Sequence, residues 1–500
     1  MRDWDAARVA DGAGARVEVE PSRTGEHPGP LRATIDSRNV TAGDLFVGLP
    51  GARVDGGRYA EQALAAGAWG VLVAPEHAHA VARVGIQGAV LAHPDPLAGL
   101  QALARTWRRE LGARGAKVVA ITGSTGKTST KDILAALLVG SAETGSSEDV
   151  EAGGLRTVAS PENFNTEIGL PLAVLAAPAG TEALVLEMAM RGTGQIAELT
   201  AIAEPDVGVI VNVGPVHLEL LGSLEAIAAA KAELIEGLAG GTSVVIPAAE
   251  PLLASHLRAD VRTLTFGDGG EVALLERRSD GRVLIGHGAD EIELWPSFAQ
   301  AHNLRNLLAA VAAARTLGIT PAGPVRPRFS SLRGERLELP GGVVLIDDCY
   351  NANPMSMRAA IDDLAATASA RRVAVLGDML ELGPEERRFH RELGEYATGQ
   401  IDVLVTVGPL ARELGETFAG EAHSVPDAAA AAGLLQGLLR DGDTVLVKGS
   451  RGVGLERVAE ILAPDRQPPS GALPAHGHPL VPGRSGGGAV GAGDARPGRS

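Results

Sequence analysis

The 500-residue chain has one cysteine, Cys349, so no intrachain disulfide can brace it. That suits a reducing compartment. Aromatic residues make up only 3%, so the cores must be built from aliphatic and alanine side chains. No uninterrupted apolar run approaches the roughly 18 residues needed to cross a bilayer, and no stable membrane insertion is expected. The N-terminal Met1-Arg2-Asp3-Trp4-Asp5 lacks a basic stretch followed by an apolar run, so no secretory signal is read and a cytoplasmic location is expected. Positive charge is in deficit: 45 Lys and Arg against 61 Asp and Glu give a formal net charge of −16. This argues against non-specific binding to nucleic acid or to an anionic membrane. A phosphorylated substrate stays open, because a few local basic groups and backbone N–H groups suffice to bind one. No short-period repeat is present.

What is present is a chain with 45% apolar residues, long enough for about three domains. Residues 1–115 carry Asp36-Ser37-Arg38, a Gly43–Leu49 stretch and an Ala-rich helical segment ending in Trp69–Val73, and read as a small N-terminal α/β domain. Residues 116–320 open on a strand and then alternate strands with helices, the pattern of a parallel sheet. A low-complexity piece interrupts them at about 141–158 and reads as a surface insertion. Pro321, Pro324 and Pro327 mark a linker. Residues 331–463 alternate again, with strands at 343–346, 373–376, 403–407 and 444–447, as a Rossmann-like C-terminal domain would. From 465 to 500 the chain is rich in Pro, Gly and Ser, the composition of a disordered tail.

The densest chemical signal follows the strand Val118-Val119-Ala120-Ile121. There Thr122-Gly123-Ser124-Thr125-Gly126-Lys127-Thr128 leads into a helical run to Leu138. Strand, glycine loop and helix in that order aim N–H groups and the positive helix end at phosphate. Lys127 reaches the outer phosphates, and the Thr128 hydroxyl suits Mg²⁺. Only two residues separate Gly123 from Gly126, fewer than in the common P-loop, which points away from motor and GTPase types. Glu187 ends the strand 183–186, on the sheet edge where parallel sheets bind ligands; it suits Mg²⁺ or is an ordinary strand-end charge. A further strand over 207–213 contains Asn212 and leads to His217, a ligand or a structural histidine. Lys231 shares a helical face with Ile227, Leu234 and Ile235, where it must snorkel, pair or be modified. In the third domain Asp347 and Asp348 end a strand, and Tyr350, Asn351 and Asn353 precede the helix begun by Pro354. Gly377-Asp378 and Lys448-Gly449-Ser450-Arg451 end two later strands. Each is compatible with a solvated turn; together they put polar groups along one edge, as a cleft enzyme needs.

In this order, Thr122–Thr128, Asn163-Phe164-Asn165-Thr166, Glu187, His217, Lys231-Ala232-Glu233, His302-Asn303, Arg336, Asp347–Pro354 and Lys448–Arg451 resemble the motifs of the Mur ligases, the ATP-dependent amide-forming enzymes of peptidoglycan synthesis. The resemblance runs from about Thr34 to Leu462, broken at the insertion. Tyr350-Asn351-Ala352-Asn353-Pro354 and Gly377–Gly383 look most like the member that joins UDP-N-acetylmuramoyl-tripeptide to D-alanyl-D-alanine. Asp36-Ser37-Arg38 looks like that member's UDP-sugar domain. The resemblance implies a central P-loop ATPase domain, ATP as cosubstrate, two Mg²⁺ ions and a monomer. Thr122–Thr128, Asn303, Arg336 and Asp348 would hold nucleotide. Thr128 and Glu187 would hold one metal, and His217 and Lys231 a second, with Lys231 carbamylated as is common in the family. Lys127, His217, Lys231 and Lys448 would carry the catalysis. Ser37, Arg38, Asn165, Thr166, Tyr350, Asn351, Asn353 and Arg451 would meet substrate. Gln300 and Glu162 stand where the family usually has Gly.

Three rivals are set aside on residues. The preceding ligase, which adds the third peptide residue, carries an Asp-Asn-Pro-Arg string absent here. A folate or poly-amino-acid ligase would lack the UDP-sugar domain. A nucleotide-gated binding protein would need neither His217 nor Lys231.

Overall fold

A computed structural model describes residues 1–21, 28–85, 87–140, 154–161 and 163–464. The tail expected over 465–500, Glu162 and most of the 141–158 insertion lie outside the described residues. Among the described residues three sheets form. The N-terminal sheet orders its strands Arg16–Val19, Ala89–Ala92, Gly70–Val73, Leu45–Val47 and Ala33–Thr34. All neighbours are parallel except the first pair. Its last strand runs into the short turn Ser37–Asn39, capped by Asp36.

The helix Pro96–Ala113 starts cleanly because Asp95 caps it and Pro96 supplies a preset φ. The boundary expected at 115 does not separate two cores. Trp107 packs edge-on against Trp4 at 5.4 Å and donates its indole N–H to the carbonyl of Ala177, 3.0 Å away in the central domain. One apolar cluster continues from Met1 through this helix to Val261. The first two domains are therefore joined by buried apolar surface, the most costly kind to separate.

The central sheet has ten strands. Third from one edge, Lys117–Thr122 lies between Ala183–Glu187 and Val207–Ile210, all parallel. Their carboxyl ends thus open on one edge. Four expectations need correction. The strand read over 207–213 ends at Ile210. Thr157–Ala159, assigned to the insertion, forms the edge strand beside Ala183–Glu187. The sheet is not wholly parallel: Val272–Arg277, Val283–His287 and Asp290–Pro296 form an antiparallel meander. Its signal was legible, since buried Ile292 and Leu294 alternate with glutamates and Gly281 and Gly288 take positive φ at the turns. Finally, Gly323–Val325, read as linker, pairs with Asp290–Pro296; Pro324 is tolerated because the strand is at the sheet edge.

The C-terminal sheet orders Glu335–Leu339, Val343–Asp347, Thr444–Lys448, Arg372–Gly377, Val403–Val407 and Glu421–Val425. Only the first pair is antiparallel. The final edge strand, Glu421–Val425, was not read from the sequence; it is half polar and largely exposed, so it lacks the apolar run of its neighbours. This domain has its own apolar clusters on the two faces of its sheet.

Candidate active site

The three domains enclose one cleft of about 3000 Å³. The phosphate loop stands on its floor. Gly126 sits at φ +78, where a Cβ would come within 2.5 Å of the Asn306 side chain, so the conformation and the space both demand glycine. Asn212 holds the loop open. Its Oδ1 accepts from the N–H groups of Ser124 (3.0 Å) and Thr125 (2.9 Å). Its Nδ2 donates to the carbonyl (3.1 Å) and hydroxyl (2.9 Å) of Thr125. Ser124 adds a hydroxyl bond to the Gly214 carbonyl at 3.0 Å. Asn212 was seen only as a residue of a strand; once the strand ends at Ile210, its side chain is free to turn toward the loop. Asn212→Ala removes four bonds from one loop. The expected result is an ATP Kd about tenfold higher, equivalent to roughly 1.4 kcal/mol, read by calorimetry.

Lys127 folds back to donate to the Gly123 carbonyl at 3.0 Å. Burial pushes its ammonium below the usual lysine range, while the Glu187 charge acts the other way. Thr128 donates its hydroxyl to Glu187 Oε2 at 2.7 Å, and Asn165 donates to Oε1 at 2.9 Å. Glu187 is buried at the end of its strand, so this carboxylate is fixed from two sides. A hydroxyl and a buried carboxylate beside a phosphate loop fit a hard cation that takes its remaining ligands from phosphate and water. Thr122 is buried behind the loop rather than lining the cleft.

Lys231 lies on the buried face of the helix Leu224–Gly237, 1% exposed. No hydrogen bond or ion pair among the described residues engages it. Burial, and then the charge of Lys127, hold its amine well below the lysine range. It has therefore neither snorkelled nor paired. His217 sits at φ +53 and places Nδ1 2.5 Å from Glu381 Oε2 of the C-terminal domain. Among the described residues no cluster of three or more His, Cys, Asp or Glu could hold a metal, so an ion at His217 and Lys231 would need phosphate oxygens and a modified lysine to complete its shell.

Across the cleft Lys448, 3% exposed, donates to Asp348 Oδ2 at 2.8 Å and to the carbonyls of Asn351 (3.0 Å) and Asp348 (3.2 Å). Asp348 and Lys448, assigned separate tasks from sequence, are thus one ion pair. Asn353 lines the cleft and also caps the helix Pro354–Thr367 in a reciprocal box with Ser356. Arg336 is held by Asp363 (3.1 Å) and Thr367 (2.7 Å) on the cleft wall. Asn303 accepts from Asn306 at 3.4 Å, just below the phosphate loop. Tyr350 donates its hydroxyl to Asn163 across the domain boundary, with the Arg333 guanidinium 4.0 Å above its ring. Thr166 and Arg451 line the cleft. Arg38 lines it too, paired with Asp36 at 2.7 Å; Ser37 does not line it. Gln300 precedes the helix Ala301–Thr316 at φ −61, so no glycine is needed there. Arg191 and Glu381, which face each other across the cleft mouth, were not singled out from the sequence; a contact between residues so distant in the chain leaves no local pattern.

Three family descriptions match the chain: Mur ligase family, catalytic domain, over 33–108; Mur ligase middle domain, over 121–314; and Mur ligase, glutamate ligase domain, over 332–451. The UDP-N-acetylmuramoyl-tripeptide--D-alanyl-D-alanine ligase of Bacillus subtilis is 35% identical, with 85% of this chain and 92% of that protein covered. The ligase of the same description from Escherichia coli is 30% identical, with 86% and 93% covered. Among solved structures, the MurF ligase of Thermotoga maritima in complex with ADP has a TM-score of 0.71 at 31% identity, covering 86% of this chain and 96% of that one.

Proposed function

The chain belongs to the Mur ligase family, and on that premise we propose that it joins D-alanyl-D-alanine to UDP-N-acetylmuramoyl-tripeptide, an ATP-dependent ligase of peptidoglycan synthesis. The observation that carries the reading is the Thr128–Glu187 pair beside Lys127, in a phosphate loop braced by Asn212. A carboxylate does not condense with an amine in neutral water without activation. The tripeptide's terminal carboxylate oxygen attacks the γ-phosphorus, its bond to the ADP oxygen breaks, and an acyl phosphate remains. The dipeptide amine then attacks the acyl carbon, loses a proton, and inorganic phosphate leaves. Negative charge moves over the phosphoryl oxygens in both steps, so the site must supply cations and N–H donors.

Lys127 and the loop N–H groups supply them at the γ-phosphate. Thr128 and Glu187 would hold a Mg²⁺ that neutralises phosphate charge when bound. Lys231 suits carbamylation, since the uncharged amine is what attacks CO₂ and burial disfavours the charged form here. The product is a carboxylate-like anion and a released proton, which puts an oxygen ligand in place of the amine. His217 presents its second ring nitrogen, Nε2, with Nδ1 engaged by Glu381. Lys448, locked by Asp348 and Asn351, meets the acyl phosphate or the acceptor from the opposite wall, beside Arg451 and Tyr350. Arg38 and Asn39 line the N-terminal end of the cleft, where the UDP-sugar end would enter. Asn303, Arg336 and Asp348 face the nucleotide. Among the described residues no helix is long and apolar enough to cross a membrane; we place the reaction in the cytoplasm, where ATP is available, with a monomer as the working unit.

The test is ADP release with UDP-N-acetylmuramoyl-tripeptide, with D-alanyl-D-alanine set against single amino acids. Turnover with the dipeptide is expected. Turnover only with a single amino acid would move the chain to the preceding step of the pathway, and no turnover with any acceptor would leave a nucleotide-binding protein.

A further inference from the structure

The C-terminal domain meets the central domain through polar contacts rather than a shared apolar core. Its apolar clusters stay within residues 332–462, whereas the other two domains share one cluster. Polar boundaries of this kind are where domains part and rejoin. At the cleft mouth one carboxylate bridges the boundary. Glu381 accepts from Arg191 at one oxygen and lies 2.5 Å from His217 Nδ1 at the other. Its own carbonyl accepts from the Glu219 N–H at 3.3 Å. Gly383 follows at φ +65, where a Cβ would come within 3.1 Å of the Glu219 backbone.

Both partners in this contact are held in the left-handed region without being glycine: His217 at φ +53 and Glu381 at φ +63. Such conformations persist where the surroundings enforce them, and they gather at working sites. The segments that carry Arg191 and Glu381 are braced on both sides of the boundary. On the central side, Gln195 Oε1 accepts from the N–H groups of Arg191 (2.6 Å) and Gly192 (3.1 Å). On the C-terminal side, buried His390 accepts from the Met379 N–H at 2.9 Å, and Ser450 Oγ accepts from the Leu380 N–H at 2.9 Å. Ser450 belongs to the Lys448–Arg451 segment. The loop that carries Glu381 is thus tied directly to the residues that face the reacting groups.

We propose that Glu381 is a positioning residue: by bridging Arg191 and His217 it docks the C-terminal domain so that Lys448 and Arg451 stand opposite the phosphate loop. The inference rests on the ligase reading above. The three side chains are 22–56% exposed, so the bridge is of a strength that can form and break in each catalytic cycle. The phosphate loop lies wholly on the central domain and grips the phosphates without the bridge, whereas Arg336 and Asp348 reach the nucleotide from the C-terminal domain and acceptor attack needs both walls in place.

The experiment compares wild type with Glu381→Gln, Glu381→Gly, Arg191→Ala and the Arg191→Ala/Glu381→Gln double variant. Glu381→Gly deletes the carboxylate while easing the backbone, so its loss cannot be charged to strain. Expected are a five- to tenfold fall in kcat/KM for D-alanyl-D-alanine in each single variant, a clearly smaller rise in ATP-analogue Kd by calorimetry, and a double variant no worse than the poorer single one. X-ray scattering with the ATP analogue bound should show a larger radius of gyration in Glu381→Gly than in wild type. Additive losses in the double variant, a wild-type radius, or an equal loss in nucleotide affinity would overturn the proposal. Wild-type turnover is measured alongside: its absence counts against the ligase reading itself, whereas its presence with unaffected variants counts against the bridge alone.

Discussion

Replacing Lys127 by alanine should lower kcat for ADP release by about a thousandfold, the scale of losing one donor aimed at transition-state charge. The protein should remain folded. Among the described residues the Lys127 ammonium donates one hydrogen bond, to the Gly123 carbonyl, and the loop keeps its bonds from Asn212 and Ser124. The melting temperature should therefore change by no more than a few degrees, since one such bond contributes about 1 kcal/mol. Arginine should not rescue the variant, because its planar fork cannot take the place of a compact ammonium over the loop. Turnover within tenfold of wild type, with intact fold, would remove Lys127 from the γ-phosphate.

Lys231→Met should separate stability from activity in opposite directions. Lys231 is 1% exposed and no hydrogen bond or ion pair among the described residues engages it, and a buried polar group without a partner costs about 1–3 kcal/mol. Methionine has similar length and belongs among Ile227, Leu234 and Ile235. In CO₂-free buffer the variant should be more stable in urea by roughly that amount. Its turnover should nevertheless fall about a hundredfold or more, as expected when an oxygen ligand to a catalytic metal is lost. The wild-type peptide containing Lys231 should carry the added mass of one CO₂ when prepared with bicarbonate under conditions that preserve a labile carbamate. A variant that is less stable yet active would mean that Lys231 serves packing rather than chemistry.

Much of the site was legible because its signals are local. The Thr122–Thr128 loop needs glycine where φ is positive and a lysine at the helix start, and both stand in sequence order. Glu187 follows an apolar strand whose end must face the ligand edge. Lys231 betrays itself by a helical period that puts a charge among apolar neighbours. The capping task of Asn353 was not legible, because helix capping and substrate binding call for the same residue type and only the bond to Ser356 reveals the cap. The Gly323–Val325 strand was missed because its pairing depends on which sheet edge is free, which no short window contains, whereas the antiparallel meander carried a local alternation of its own.

The amino-acid sequence alone determined that this chain binds a nucleotide phosphate and that three α/β units surround it. Backbone conformation, helix period and strand ends are set by neighbours a few residues away. Tertiary structure alone decided that Asn212 braces the loop, that Asp348 and Lys448 are one pair, and that Glu381 reaches Arg191 and His217 from another domain. Those contacts span from 87 to 190 positions of chain, and side chains so far apart acquire a relationship only when packing brings their elements together.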